Sequence, residues 1–231
     1  MKKLLLLIFV IVCVYSLSAQ NKYEAHIGLA SPSGDFADDT YNNGITDGSG
    51  CATMGFNVGL KYFTPLKFNG LSMFYGVDLL YNPLSKDFQD YLEEDLPSNS
   101  DIKINYPKYI NIPIIIGLNQ KFELKNDLSI YGEAGIGVNF SKITNLVMES
   151  KSTNISSTMS FDPLVNLCFS IGGGLIIQNK YTVSLNYKPL GSYEMKYKQR
   201  FDNDGDVTND TGKFNDALDI KAITFSVGLF F

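Results

Sequence analysis

Apolar and polar residues alternate one by one in eight separate stretches of the chain. A period of two sends successive side chains to opposite faces of an extended strand. The alternation predicts strands over about Lys22–Ser31, Cys51–Phe63, Leu71–Asn82, Ile102–Leu118, Leu128–Ser141, Leu164–Gln178, Tyr181–Pro189 and Ala222–Phe231. Beyond the first twenty positions there is no amphipathic helical pattern of useful length and no apolar run fit for a spanning helix.

One face of each strand is large and apolar. Tyr23, Ile27 and Leu29 mark it on the first, Ile110 to Ile116 on the fourth, and Ile223, Phe225, Val227, Leu229 and Phe231 on the last. The opposite face is small or polar, as in Thr53, Gly55, Asn57, Gly59 and in Asn166, Cys168, Ser170, Gly172. A soluble sandwich also alternates, but its core face points inward and its outer face carries solvated charge. Gly, Ser and Asn suit the crowded inside of a narrow barrel, with the apolar band turned to lipid.

The connections agree. Pro32–Gly50, Pro83–Asp101, Lys142–Pro163 and Leu190–Asp219 are long and polar, whereas Thr64–Gly70, Asn119–Asp127 and Asn179–Lys180 are short. Outer-membrane barrels have short periplasmic turns and long outer loops. In lipid an open sheet edge is not viable, so the last strand must pair with the first. The fold class expected is all-β: an eight-stranded antiparallel up-and-down transmembrane β-barrel.

The N-terminus adds the compartment. "MKKLLLLIFVIVCVYSLSAQ" has a basic start at Lys2 and Lys3, an apolar stretch and small residues before a cleavage point after Ala19. It reads as a signal peptide over 1–19, leaving a barrel domain over 20–231. Cys13 follows Val12, which does not fit a lipoprotein signal. Loss of Lys2 and Lys3 leaves 17 basic against 24 acidic residues, net −7. Such a chain repels phosphate backbones, which excludes nucleic acid as a partner.

The residues also resemble a known family. "YPKYINIPIIIGL" at 106–118, "SIYGEAGIGVNF" at 129–140, "FSIGGGLII" at 169–177, "TVSLNYKPLG" at 182–191 and the aromatic end are similar to the outer-membrane β-barrel domain proteins of Gram-negative bacteria, in particular the PorT-like group. The resemblance implies outer-membrane lipid and the barrel-assembly machinery as partners, with Phe231 as part of the assembly signal. It also allows an envelope protein partner and a role as accessory barrel of a secretion or motility machine.

Candidate chemistry is sparse. Glu24, His26, Lys61, Asp78, Glu133 and Lys188 fall on the inward parity, and eight strands leave an interior that side chains can fill. They are expected to form a luminal polar network, with Glu24, Asp78 and Glu133 each contacting Lys61 or Lys188, because unpaired buried charge is costly. A small pore is the alternative. His26 is the sole histidine, and a crowded lumen denies a substrate access to it, so no catalytic residue and no cofactor is assigned. Gly172-Gly173-Gly174 precedes no helical pattern, so it is no nucleotide loop. Asp202, Asp204 and Asp206 in "DNDGDVTND" are weak candidates for Ca²⁺; Lys213 stands where an EF-hand needs its closing Glu, and a solvated acidic loop is the simpler reading. Cys51 and Cys168 fall on opposite walls and are expected to be free thiols. Pro113 predicts a bulge or bend mid-strand. The long loops hold Phe36, Tyr41, Phe88, Tyr91, Phe161, Tyr193, Tyr197 and Phe214, which either meet a partner or pack on one another. The function expected is a non-enzymatic integral outer-membrane protein, structural or making surface contacts through its long loops.

Overall fold

A computed structural model describes residues 22–39, 49–94, 101–125, 127–150, 152–214 and 216–231. The proposed signal peptide, Tyr41 and Cys13 lie outside them. Eight strands form the closed wall: β1 (Lys22–Pro32), β2 (Gly55–Pro65), β3 (Leu71–Pro83), β5 (Lys108–Glu123), β6 (Leu128–Ile143), β9 (Leu164–Ile177), β10 (Tyr181–Tyr193) and β13 (Leu218–Phe230). The ring runs β1-β13-β10-β9-β6-β5-β3-β2, and every pairing is antiparallel. At the seam, Phe231 N–H donates to Tyr23 O (2.9 Å) and Tyr23 N–H to Phe231 O (3.1 Å).

The inside-out distribution of apolar groups is explicit. Leu167 is 74% exposed and Ile136 61%, while Asn57, Asn139 and Thr224 are fully buried. Water would penalise that apolar band heavily at ~25 cal/mol per Å², whereas hydrocarbon does not.

A second sheet, absent from the sequence reading, stands on the loop side. It comprises β4 (Ile102–Asn105), β7 (Leu146–Ser150), β8 (Ile155–Phe161), β11 (Lys196–Asn203) and β12 (Asp206–Lys213), in the order β12-β11-β8-β7-β4. That order repeats the barrel order β13-β10-β9-β6-β5. Each sheet strand is therefore the prolongation of one wall strand, beyond a short break at Tyr106-Pro107, Thr144-Asn145, Asp162-Pro163, Glu194-Met195 or after Lys213. The single strand expected over Ile102–Leu118 is thus two. The break also flips the faces. Ile110 and Ile112 point to lipid, but Tyr106 packs on the buried core and Ile104 shares its parity across the break. On β10 a register shift at Pro189/Gly191 makes the same flip.

Two other expectations change. Strand two starts at Gly55, because Cys51 has a left-handed backbone (φ 47°) and its N–H goes to Asp38 O at 2.9 Å. Pro113 causes no bulge. The β3–β5 ladder lapses between Val77↔Ile114 and Leu80↔Asn111 and resumes in the same register, so the missing N–H falls where no bond is made. Pairing with β6 is uninterrupted there.

Candidate functional site

The lumen is the first candidate. All six predicted ionisable residues are buried inside the wall. Lys61 Nζ on β2 reaches Glu133 Oε1 on β6 at 2.5 Å, and Lys188 on β10 reaches Asp78 Oδ2 on β3. In the eight-strand ring β10 and β3 are diametrically opposite, so Lys188 and Asp78 brace the barrel across its width. His26 Nε2–H donates to Asp78 Oδ1 at 2.7 Å, a carboxylate being able only to accept. Glu24 departs from expectation. It sits opposite Lys61 in register, but Lys61 is drawn across the lumen to Glu133, and Glu24 Oε1 faces His26 Nδ1 at 3.5 Å instead.

The inward small residues make this network possible. His26, Gly59 and Asp78 form one row across β1, β2 and β3, and His26 reaches over Gly59 to its partner. A Cβ on Gly59 would lie 2.0 Å from Asp78 Oδ1 and 2.6 Å from His26 Nε2. Toward the loop side the charges give way to amides and hydroxyls. Asn139 Nδ2 donates to Asn111 Oδ1 (3.0 Å) and to Leu190 O (3.1 Å), and Ser141 Oγ donates to Asn111 Oδ1 (2.8 Å).

Apolar side chains close both ends. On the turn side Phe63 packs edge-on against Phe230 (5.5 Å between centroids) and beside Phe74 (6.1 Å). On the loop side Phe36, Leu80, Leu190, Leu218 and Ile220 are buried together. Phe36 comes from a 3₁₀ turn, Gly34–Phe36, and meets Tyr109 edge-on at 4.9 Å. Phe88 comes from helix α1 (Lys86–Glu94) and is also buried. Tyr91, Phe161 and Phe214 pack against this same cluster, so the loop aromatics of the described residues serve mainly to stopper the barrel. The small-pore alternative is not favoured by this geometry, in which charge struts cross the lumen and apolar side chains gather at both ends.

The second candidate is the sheet. Its inner face rests on the stopper around a cavity of about 40 Å³ lined by Leu146, Met159, Phe161 and Phe214 among others. Its outer face, by register, carries Lys103, Glu149, Ser156, Thr158, Ser160, Lys198, Arg200, Asn209, Thr211 and Lys213. The acidic stretch expected as a solvated loop is a hairpin. Asp204 (φ 49°) and Gly205 (φ 94°) are both left-handed, which is the two-residue turn that Asp-Gly favours. Asp202 Oδ1 accepts from Gly205 N–H (3.0 Å) and Asp204 Oδ1 from Asn154 Nδ2 (3.4 Å). Asp202 and Asp204 thus meet different partners, and among the described residues no group of three His, Cys, Asp or Glu is placed to hold a metal.

Elsewhere on the loop side, Asp101 accepts from Ser150 Oγ (2.8 Å), Ser152 Oγ (2.9 Å) and Ser152 N–H, which holds its carboxyl below the usual range. Burial, with Asp39 and Asp38 nearby, pushes the Cys51 thiol up to about 12. Cys51 and Cys168 are both buried and unpaired.

Fold comparison places this architecture. The major outer membrane protein of Thermus thermophilus superposes with a TM-score of 0.51 at 9% identity, covering 92% of this chain and 100% of that one. Ail, the attachment invasion locus protein of Yersinia pestis, gives 0.43 at 13% identity, covering 91% and 99%. OprG of Pseudomonas aeruginosa gives 0.43 at 12% identity, covering 91% and 96%. The chain has the closed, eight-stranded fold of outer-membrane β-barrels. No protein-family model matches it and no curated protein does, so the finer PorT-like resemblance is not confirmed.

Proposed function

We propose that the protein is a non-enzymatic, integral outer-membrane β-barrel that displays its five-stranded sheet outside the cell for surface contact. One observation carries the reading: the wall strands continue past the membrane into a sheet, above a lumen stoppered at both ends. A stoppered barrel is an anchor, and what remains available to a partner is the sheet. The N-terminal segment 1–19 acts as a cleaved signal, and the outer-membrane lipid and the assembly machinery are the obligatory partners. Phe231, beside the seam, is read by that machinery; its ring stacks on Tyr23 at 5.9 Å and is otherwise largely free. The accessory-barrel alternative rested on the PorT-like resemblance and is not favoured.

The test is removal of the β11–β12 hairpin, with Lys196 joined to Phe214 through a short glycine-serine turn, in cells that otherwise express the full chain. The truncated protein should still fractionate with the outer membrane and keep its heat-modifiable gel shift. It should lose binding to host-cell or envelope surfaces that the intact protein retains. Recovery of either form in the soluble fraction, or unchanged surface binding by the truncated one, refutes the reading.

A further inference from the structure

We propose that the turn-side mouth of the barrel is a docking site for an acidic, phenylalanine-bearing peptide segment of a periplasmic protein. This goes beyond the surface-contact role, which concerns the other end of the molecule. The mouth is a half-enclosed hollow of about 630 Å³ between the three turns. That volume lies within the ~300–1,000 Å³ of ordinary ligand pockets. Phe63 and Phe230 line it from the aromatic stopper, and Phe68 stands on its rim, 72% exposed in the β2–β3 turn. Lys22 and Lys121 line it as well, with the Asn119 and Asn179 amides. Lys121 Nζ is already oriented by Asn179 Oδ1 at 2.9 Å, and Lys22 Nζ lies 5.7 Å from the Phe230 ring centroid.

The charge around the hollow is predominantly positive, with Glu123 the one carboxylate among its lining residues. Lys22, Lys67, Lys121, Lys125 and Lys180 lie at the turn end, against Glu123 and Asp127. Among the described residues only Lys121 of these lysines has an ion-pair partner, Glu123 at 3.2 Å, which is itself 80% exposed. The loop side is acidic, as on helix α1 with Asp87, Asp90, Glu93 and Glu94. An acidic ligand is therefore attracted to one end of the barrel and repelled from the other. Aromatic walls flanked by cations suit an aromatic side chain with neighbouring carboxylates. A lipid headgroup would meet the lysines on the outer rim, but it gains nothing from the Phe63 and Phe230 walls inside the mouth.

The experiment uses the full chain in phosphatidylcholine nanodiscs and a fluorescein-labelled pentapeptide alternating aspartate and phenylalanine, followed by fluorescence anisotropy. Wild type should bind it, and a lysine-phenylalanine counterpart should not bind. Lys22→Glu with Lys121→Glu should weaken binding at least tenfold, and Phe68→Ser, in an exposed turn, at least threefold. Lys213→Glu on the loop side should leave it unchanged, and each variant's gel shift verifies folding. Absence of wild-type binding, equal binding of both peptides, or indifference to the two charge reversals overturns the proposal. A protein that ignores the peptide but gains lysine-dependent thermal protection in phosphatidylglycerol discs overturns it in favour of a lipid headgroup.

Discussion

Asp78 is the residue on which the luminal network depends most, and Asp78→Asn removes its charge with almost no change of volume. In the native lumen Asp78 holds two groups at once, the Lys188 ammonium from the opposite wall and His26 Nε2 at 2.7 Å. The asparagine can still accept from one of them, but Lys188 is then a buried cation without a carboxylate. Breaking a buried pair from one side costs ~3–5 kcal/mol. An exposed pair such as Lys196 with Glu194, 3.7 Å apart, is worth ~0–1 kcal/mol by comparison. With an m-value of ~2 kcal/mol/M, the urea midpoint should fall by about 2 M. The chain has no Trp, so unfolding in detergent micelles is best followed by circular dichroism, with the gel shift as a second probe. Adding Lys188→Met should recover most of the loss, because removing both partners of a buried pair is often close to neutral. A loss below about 1 kcal/mol in the single variant, or no recovery in the double, would refute the claim that these charges brace the wall.

Four further outcomes follow from the same geometry. Gly59→Ala drives a Cβ into the His26–Asp78 bond and should destabilise by ~1–3 kcal/mol in the same titration, whereas an outward change such as Ile136→Leu should be silent. In planar bilayers the folded protein should show no steady conductance, and reproducible single-channel steps would contradict the two stoppers. Neither Cys51 nor Cys168 should react with maleimide until the barrel is unfolded, and reduction should leave the mass unchanged; labelling of native Cys51 at neutral pH would show that its burial is overstated. Phe231→Asp should sharply lower the yield of assembled protein in cells while barely shifting the in-vitro urea midpoint, since the ring is 68% exposed; equal effects in both would remove the assembly role.

The wall of the barrel was legible because lipid enforces strict alternation. Every outward position from Ile110 to Leu118 must be apolar and every inward one must fit a narrow lumen, so the period of two survives unblurred. The inward charges followed from the same parity. What parity does not report is who meets whom, and Glu24 shows why: facing Lys61 across one strand pair did not outweigh the pull of Glu133 from the far side. The outer sheet was hidden for a different reason. Ser156, Thr158 and Ser160 face the same side as Lys198 and Arg200, and β12 is exposed nearly throughout, so no hydrophobic contrast marks these strands. The Asp204-Gly205 pair was the signal available, since that dipeptide between extended stretches marks a tight hairpin. Between Ile102 and Leu118 the apolar parity resumes after Tyr106-Pro107, and only Lys108 on the apolar side and Tyr109 on the polar one mark that the chain changes faces there.

The matching strand orders of wall and sheet bear on how the outer part can form. Within the sheet, β7–β8 and β11–β12 are neighbours in sequence and can find one another locally. The β8–β11 and β4–β7 pairings instead join segments separated by whole membrane crossings. Closing such long loops costs entropy before any contact repays it. Here the barrel has already met that cost, because β9 beside β10 and β5 beside β6 deliver the outer segments side by side. The sheet therefore inherits its topology from the membrane. Cut from the barrel, its five strands would have local hairpins but no means of choosing their order, and the exposed surface can be native only on a wall that has closed.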